Sequence, residues 1–157
     1  MSLGVTAGKL RAAGVETIGV VATAADRAQR YFSYRPPRYL VGADPDLASH
    51  RAFRVPNTGF SDELAQVVNA KQEGLAREAG ISAPAGGVWE ALNRADGIDH
   101  KELMADVERH QAQRTAQFLI DREGVIRWSN IECERDGLEG IGQFPTDEEL
   151  LAAARAL

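Results

Sequence analysis

The eight residues from Val15 to Ala22, V-E-T-I-G-V-V-A, constrain this chain more than any other stretch. They form a β-branched run of strand length with apolar residues on both faces, the pattern of a strand buried in a parallel sheet. A central strand is predicted there. On its N-terminal side, residues Gly8 to Ala13 read as the last turns of a helix, with Gly14 placed to adopt a left-handed C-cap. On its C-terminal side Thr23 opens T-A-A-D-R-A-Q-R-Y-F, a second helix capped by Thr23 and running to about Phe32, with Asp26 favourable to its dipole.

Pro36 and Pro37 stop that helix, and Arg38 to Val41 reads as a short strand before the loop G-A-D-P-D. Asp44 is predicted to cap a third helix with Pro45 at its first position, ending before Val55-Pro56. From residue 57 to residue 113 the pattern changes to amphipathic helical segments broken by glycine and proline. Neither side of that stretch would bury a full core alone, so it reads as a helical insert, 57–113, within one domain, 1–157. Beyond it, Ala116 to Asp121 and Val125 to Asn130 form a predicted hairpin across R-E-G, with Gly124 available for positive φ. Pro145-Thr146-Asp147 then caps a last helix, whose acidic first turn and later Arg155 suit the helix dipole.

Composition excludes several classes of function. Eighteen Lys plus Arg against 23 Asp plus Glu give a net charge of −5, with no clustered basic face for nucleic acid. The longest apolar run, Thr17 to Ala25, is far short of the ~20 residues that span a bilayer, so no membrane partner is expected. The start, MSLGVTAGKL, lacks the basic and long apolar regions of a secretory leader, and the one cysteine, Cys133, allows no intrachain disulfide. A reducing, cytoplasmic setting follows from both. His50, His100 and His110 have no metal-ligand spacing, and G-V-T-A-G-K-L at residues 4 to 10 departs from a phosphate loop in length and in the residue after Lys9. Neither a metal nor any other cofactor is predicted. Tyr31, Phe32, Tyr34 and Tyr39 read as core aromatics.

Three phrases in order carry a resemblance: L-R-A-A-G-V-E-T-I-G-V-V-A-T, then D-P-D-L-A-S-H-R-A-F-R-V-P, then R-T-A-Q-F-L-I-D-R-E-G-V-I-R-W. They resemble the corresponding phrases of the alkyl hydroperoxide reductase and thiol-specific antioxidant family, the peroxiredoxin-like redoxins, over residues 8 to 56 and 113 to 157. The resemblance implies an α/β thioredoxin-like three-layer sandwich, a mixed sheet ending in a hairpin and a helix. It also implies antioxidant or thiol oxidoreductase chemistry on a peroxide or protein-disulfide substrate. In that family a cysteine stands at the N-terminus of the helix before the strand matched by Val15 to Ala22, where the helix dipole and free N–H groups stabilise its thiolate. A nearby arginine and hydroxyl hold the peroxide.

Here only the last turns of that helix are present, so relative to the family pattern a strand and the cysteine helix, roughly 25 to 40 residues, are absent. The expected strand would lie between Thr17 to Val21 and Phe118 to Ile120. This reads as a truncated or misannotated start, or as a sheet closed by direct pairing or by another protomer. The site residues that the resemblance suggests are Arg114, at the place of a basic residue that reaches the active site, and Thr115, in place of a proline that shapes its floor. Cys133 could serve as a resolving cysteine, although two flanking glutamates disfavour its thiolate and favour an inert thiol. Glu132, Glu134, Arg135 and Asp136 read as a solvated turn, and Arg127 as a solvent-facing partner of an acidic neighbour. The predicted activity of the chain alone is therefore nil. A second reading is a non-catalytic binding or scaffold module that forms a homodimer through the insert.

Overall fold

The computed structural model describes residues 3–34, 36–82, 87–95 and 100–157. Among those residues it is a mixed α/β structure with seven α-helices and four strands, in the order α1-β1-α2-β2-α3-α4-α5-α6-β3-β4-α7. Helix α1 (Leu3–Ala12) ends as its sequence predicts: Gly14 takes φ +82°, while the Val15 and Gly14 amides donate to the carbonyls of Leu10 and Arg11. Carbonyls of the last turn are satisfied in this way, and Val15 is turned back onto Leu10. The segment 4–10 thus lies in a helix, not in a phosphate-binding loop.

Strand β1 (Ile18–Val21) runs parallel to β2 (Leu40–Ala43), joined by α2 (Ala25–Tyr34). β2 starts two residues later than its sequence suggests, because Pro36 and Pro37 keep the chain irregular up to Tyr39. Val21 adds a further rung, its carbonyl accepting from the Asp44 amide at 2.8 Å. Gly19 is required here: a β-carbon on it would sit 2.8 Å from the Tyr39 ring. Thr23 does not cap α2. Its hydroxyl donates to Asp106 at 2.7 Å, so the cap position is left to residues that lack a suitable side chain.

Asp44 does cap the next helix, but from further away than predicted. Its carboxylate accepts from the amides of Ala48 and Ser49 and from the Ser49 hydroxyl, and α3 (Ala48–Ala52) begins only after Leu47 has passed through φ +56°. Pro45 therefore precedes the helix instead of opening it. The stretch 57–113 contains α4 (Asp62–Glu78), capped by the Ser61 hydroxyl, α5 (Val88–Ala95) and α6 (His100–His110). The proline and glycine break predicted at 83–86, and the stretch 96–99, lie outside the described residues.

β3 (Ala116–Ile120) and β4 (Ile126–Ile131) form the predicted antiparallel hairpin, with a register shift at Leu119/Ile120. The Asp121 carboxylate organises its turn by accepting from the amides of Glu123 and Val125 and from Arg127. Those donors, the Val125 amide foremost, hold its carboxyl below the usual carboxylate range. Helix α7 (Asp147–Arg155) carries a complete capping box, Thr146 and Glu149 each bonding the other's backbone.

The core is small and lies at one side. Leu10 of α1, Leu119 of β3, and Leu150 and Ala154 of α7 form it, with Val15, Trp128, Leu151 and Ala153 packed around them. Thr6 and Lys9 of α1 both reach Asp147 at the start of α7, at 2.6 and 2.5 Å. The parallel pair has no comparable cover. Ile18 is 69% and Leu40 73% exposed, opposite each other on one face. Val15 to Ala22 is therefore not the centre of a sheet among the described residues: β1 pairs only with β2, β3 pairs only with β4, and the two sheets remain separate. Nor do three of the four aromatics form a core; the side chain of the fourth, Tyr34, lies outside what the structure describes. Tyr31, Phe32 and Tyr39 are half-buried, the first two meeting edge to face at 5.1 Å.

Candidate functional site

Arg114, Thr115 and Cys133, singled out separately in the sequence, meet at the open end of the hairpin. Pairing of Ala116 with Ile131 continues outward by one bond, the Glu132 amide donating to the Thr115 carbonyl at 3.0 Å, before the chain turns at Cys133. The Arg114 backbone is fixed from the other side, its amide donating to the Pro56 carbonyl at 3.1 Å.

Arg114 is only 6% exposed, and its Nε makes no hydrogen bond. A guanidinium ordinarily stays at the surface or pairs with a carboxylate when buried, because desolvating an unpaired charge costs several kcal/mol. Thr115, by contrast, is exposed. Its contribution is made by the backbone, whose amide donates to Glu132 Oε2 at 3.2 Å.

Glu132 was read from sequence as part of a solvated turn, and here the structure differs. Its second oxygen accepts from the Gly142 amide at 2.8 Å, so one half-buried carboxylate ties the hairpin to the loop after the short 3-10 turn Gly137–Gly140. Lys71 of α4 secures the same loop through the carbonyls of Glu139 and Ile141. Neither role had a sequence signal, since the partners are amides and carbonyls brought together by the fold.

Cys133 is half-buried and free, in a turn with φ +65°, a region non-glycine residues seldom occupy. Burial is the main influence on its thiol and pushes it up; Arg114 opposes this, Glu132 adds to it, and Lys71 opposes it. The thiol consequently stays protonated at neutral pH. It stands at no helix N-terminus, so no dipole favours its anion. A polar cleft of about 290 Å³ adjoins it, lined by Glu132, Arg135, Gln143, Phe144 and Glu149 among others.

A second polar cluster joins α6 to the segments around β1, α2 and Pro45. Asp106 of α6, buried, accepts from Thr23 at 2.7 Å and from Arg27 and Arg109 at 2.8 and 2.6 Å. His110 is buried as well, its Nε2 donating to the Pro45 carbonyl at 2.6 Å, while its own carbonyl accepts from Asn57. Burial lowers the pKa of His50, and the neighbouring His110 adds to that. Among the described residues no three histidines, cysteines or carboxylates converge to hold a metal ion, and no helix is long and apolar enough to cross a membrane.

No protein family, curated protein or solved structure compared with this chain matches it.

Proposed function

We propose that this chain is the body of a thioredoxin-like redoxin that carries no thiol nucleophile of its own, so that its 157 residues do not turn over peroxide by themselves. The observation that carries the reading is the state of its one cysteine. Cys133 is half-buried in a turn, away from any helix dipole, and burial keeps its thiol protonated. The order of elements supports the fold half of the reading: a parallel β1-α2-β2 unit, an insert, then a hairpin and α7. Among the described residues β1 and β3 each pair with one strand only, which is compatible with that plan.

In an assay with hydrogen peroxide and an excess of dithiol, the chain is expected to consume peroxide no faster than buffer. Sustained turnover, in the wild type or in Cys133→Ser, would overturn the reading.

A second reading, a binding module that dimerises through the insert, draws on Phe60 and Leu75, large apolar residues exposed ahead of and on α4. Light scattering separates the two: a strict monomer at high concentration removes it.

A further inference from the structure

Two cavities beside the hairpin adjoin to form one groove along the outer edge of β4. We propose that this groove docks an extended peptide segment of another protein, which adds to β4 as a new strand and presents a basic side chain next to an apolar one. The inference is independent of the redoxin reading, since it uses neither a peroxide nor a reactive thiol.

A cavity of about 290 Å³ follows the chain from Asn130 to Cys133, and a second of about 410 Å³ follows it from Trp128 to Ile131. Asn130, Ile131, Arg135, Pro145 and Glu149 line both. Successive residues of a strand face opposite sides of their sheet. A groove that follows Trp128, Ser129, Asn130 and Ile131 in unbroken order therefore lies along the strand's edge. Its opposite wall is Pro145 and α7, where Ala152 and Ala153 leave the groove open.

The backbone on this edge is unsatisfied. Among the described residues β4 pairs only with β3. The Glu132 amide points at β3, where it donates to the Thr115 carbonyl, and amide direction alternates along an antiparallel strand. The amides of Ser129 and Ile131 and the Ser129 carbonyl therefore point into the groove, and nothing among the described residues bonds to them. Only the Ile131 carbonyl is taken, by the Glu134 amide at 3.1 Å. Unpaired edge groups of this kind are the template for strand addition, and α7 confines the added strand on its other side.

The side chains select the occupant. Trp128, Ala152 and Ala153 line only the larger lobe and suit an apolar side chain. Glu132 and Asp136 line only the smaller lobe, and Glu149 borders both. The one cation there, Arg135, is turned to Asn130 Oδ1 at 3.2 Å. Net negative charge favours a lysine or arginine at that end. The lobes are offset by about two residues along β4, or about 7 Å, the spacing of alternate side chains on one face of a strand.

The test uses the full chain and fluorescent peptides of about six residues, enough to span the groove in extended form. Each alternates valine with threonine, with a lysine two positions from a valine. One control replaces the lysine by glutamate, and another is N-methylated at alternate amides. Fluorescence anisotropy should saturate with the lysine peptide, be roughly tenfold weaker with the glutamate peptide, and show no saturation with the N-methylated one. Ser129→Pro removes an outward amide without touching the ladder to β3, and should weaken the lysine peptide by roughly tenfold or more. If that variant fails to fold, Ala152→Arg serves: the position is exposed, lines the larger lobe, and the added bulk and positive charge should weaken the same peptide. Hydrogen exchange locates the contact, since bound peptide should slow the Ser129 and Ile131 amides and leave that of Asn130 unchanged. A lysine peptide that does not saturate overturns the proposal. So does binding that survives N-methylation, or protection that falls elsewhere. A wild-type dimer dispersed by Ser129→Pro in sedimentation also overturns it, because a second copy would then hold the edge.

Discussion

The two sheets differ in composition, and the more apolar of them is the less covered. β1 and β2 are rich in Ile, Val and Leu, yet Ile18, Val20 and Leu40 face solvent. β3 and β4 contain polar and charged residues, yet Leu119 is buried and Trp128 packs onto the core. What separates them is cover. Two helices from distant parts of the sequence, α1 and α7, close over the hairpin, whereas the parallel pair has α2 and polar clamps to the insert. Apolar sequence alone does not make a core; an opposing layer must be supplied.

Breaking the covered side should have the largest effect. Leu119→Ala removes a buried side chain from the meeting point of α1, β3 and α7, and should cost about 2–4 kcal/mol in chemical denaturation. The polar clamp comes next. Asp106→Ala strips the shared, buried carboxylate from Thr23, Arg27 and Arg109, for a loss of about 1–3 kcal/mol. Hydrogen exchange should localise that loss to β1, α2 and α6, with the hairpin amides unchanged. The same change at Leu119 should expose the hairpin.

Acid sharpens the contrast more gently. The Asp44 carboxyl, after β2, is held at about 2 by the Ser49 hydroxyl and the Ser49 and Ala48 amides. The Asp147 carboxyl, at α7, is lowered by Lys9 and Thr6. Both folded values lie below the unfolded one, near 3.9. Their stabilisation is therefore complete above that value and is lost as pH falls toward 2. The melting temperature should be flat from pH 7 to about 5 and decline below about 4, with part of the decline absent in Asp44→Asn. The smallest effect is expected at Ile18→Thr. A residue so exposed should move stability by less than about 0.5 kcal/mol, unless some other layer covers it in solution.

How much of this was legible in the sequence varied with the range of the interactions. Gly14, Gly124 and the T-D-E-E phrase at residues 146–149 are local signals, and the helix stop, the hairpin turn and the capping box follow them. Thr23 misled because a hydroxyl suited to a cap was drawn to Asp106, 83 positions away. Pro45 misled because Asp44 caps across a left-handed Leu47, a conformation no propensity announces. Val15 to Ala22 was read as buried on both faces from its composition, but burial depends on partners that a strand's own residues do not encode. The site was half legible. Arg114, Thr115 and Cys133 were each picked out, while Glu132 was missed because both its partners are backbone amides.

The closure of α1 on α7 also bears on the order of events in folding. Thr6 meets Asp147 across 141 residues, and Leu10, Leu119 and Leu150 form one cluster only when both helices are present. The hairpin, with its near-neighbour pairing, can form within microseconds, but its cover needs a contact of very long sequence separation. Docking of α1 against α7 is expected to be the late step, which Leu10→Ala would show by speeding unfolding while leaving the folding rate nearly unchanged. Until it happens the hairpin's inner face stays wet, and linking the two helices with a short engineered loop should speed refolding more than any change within the hairpin itself.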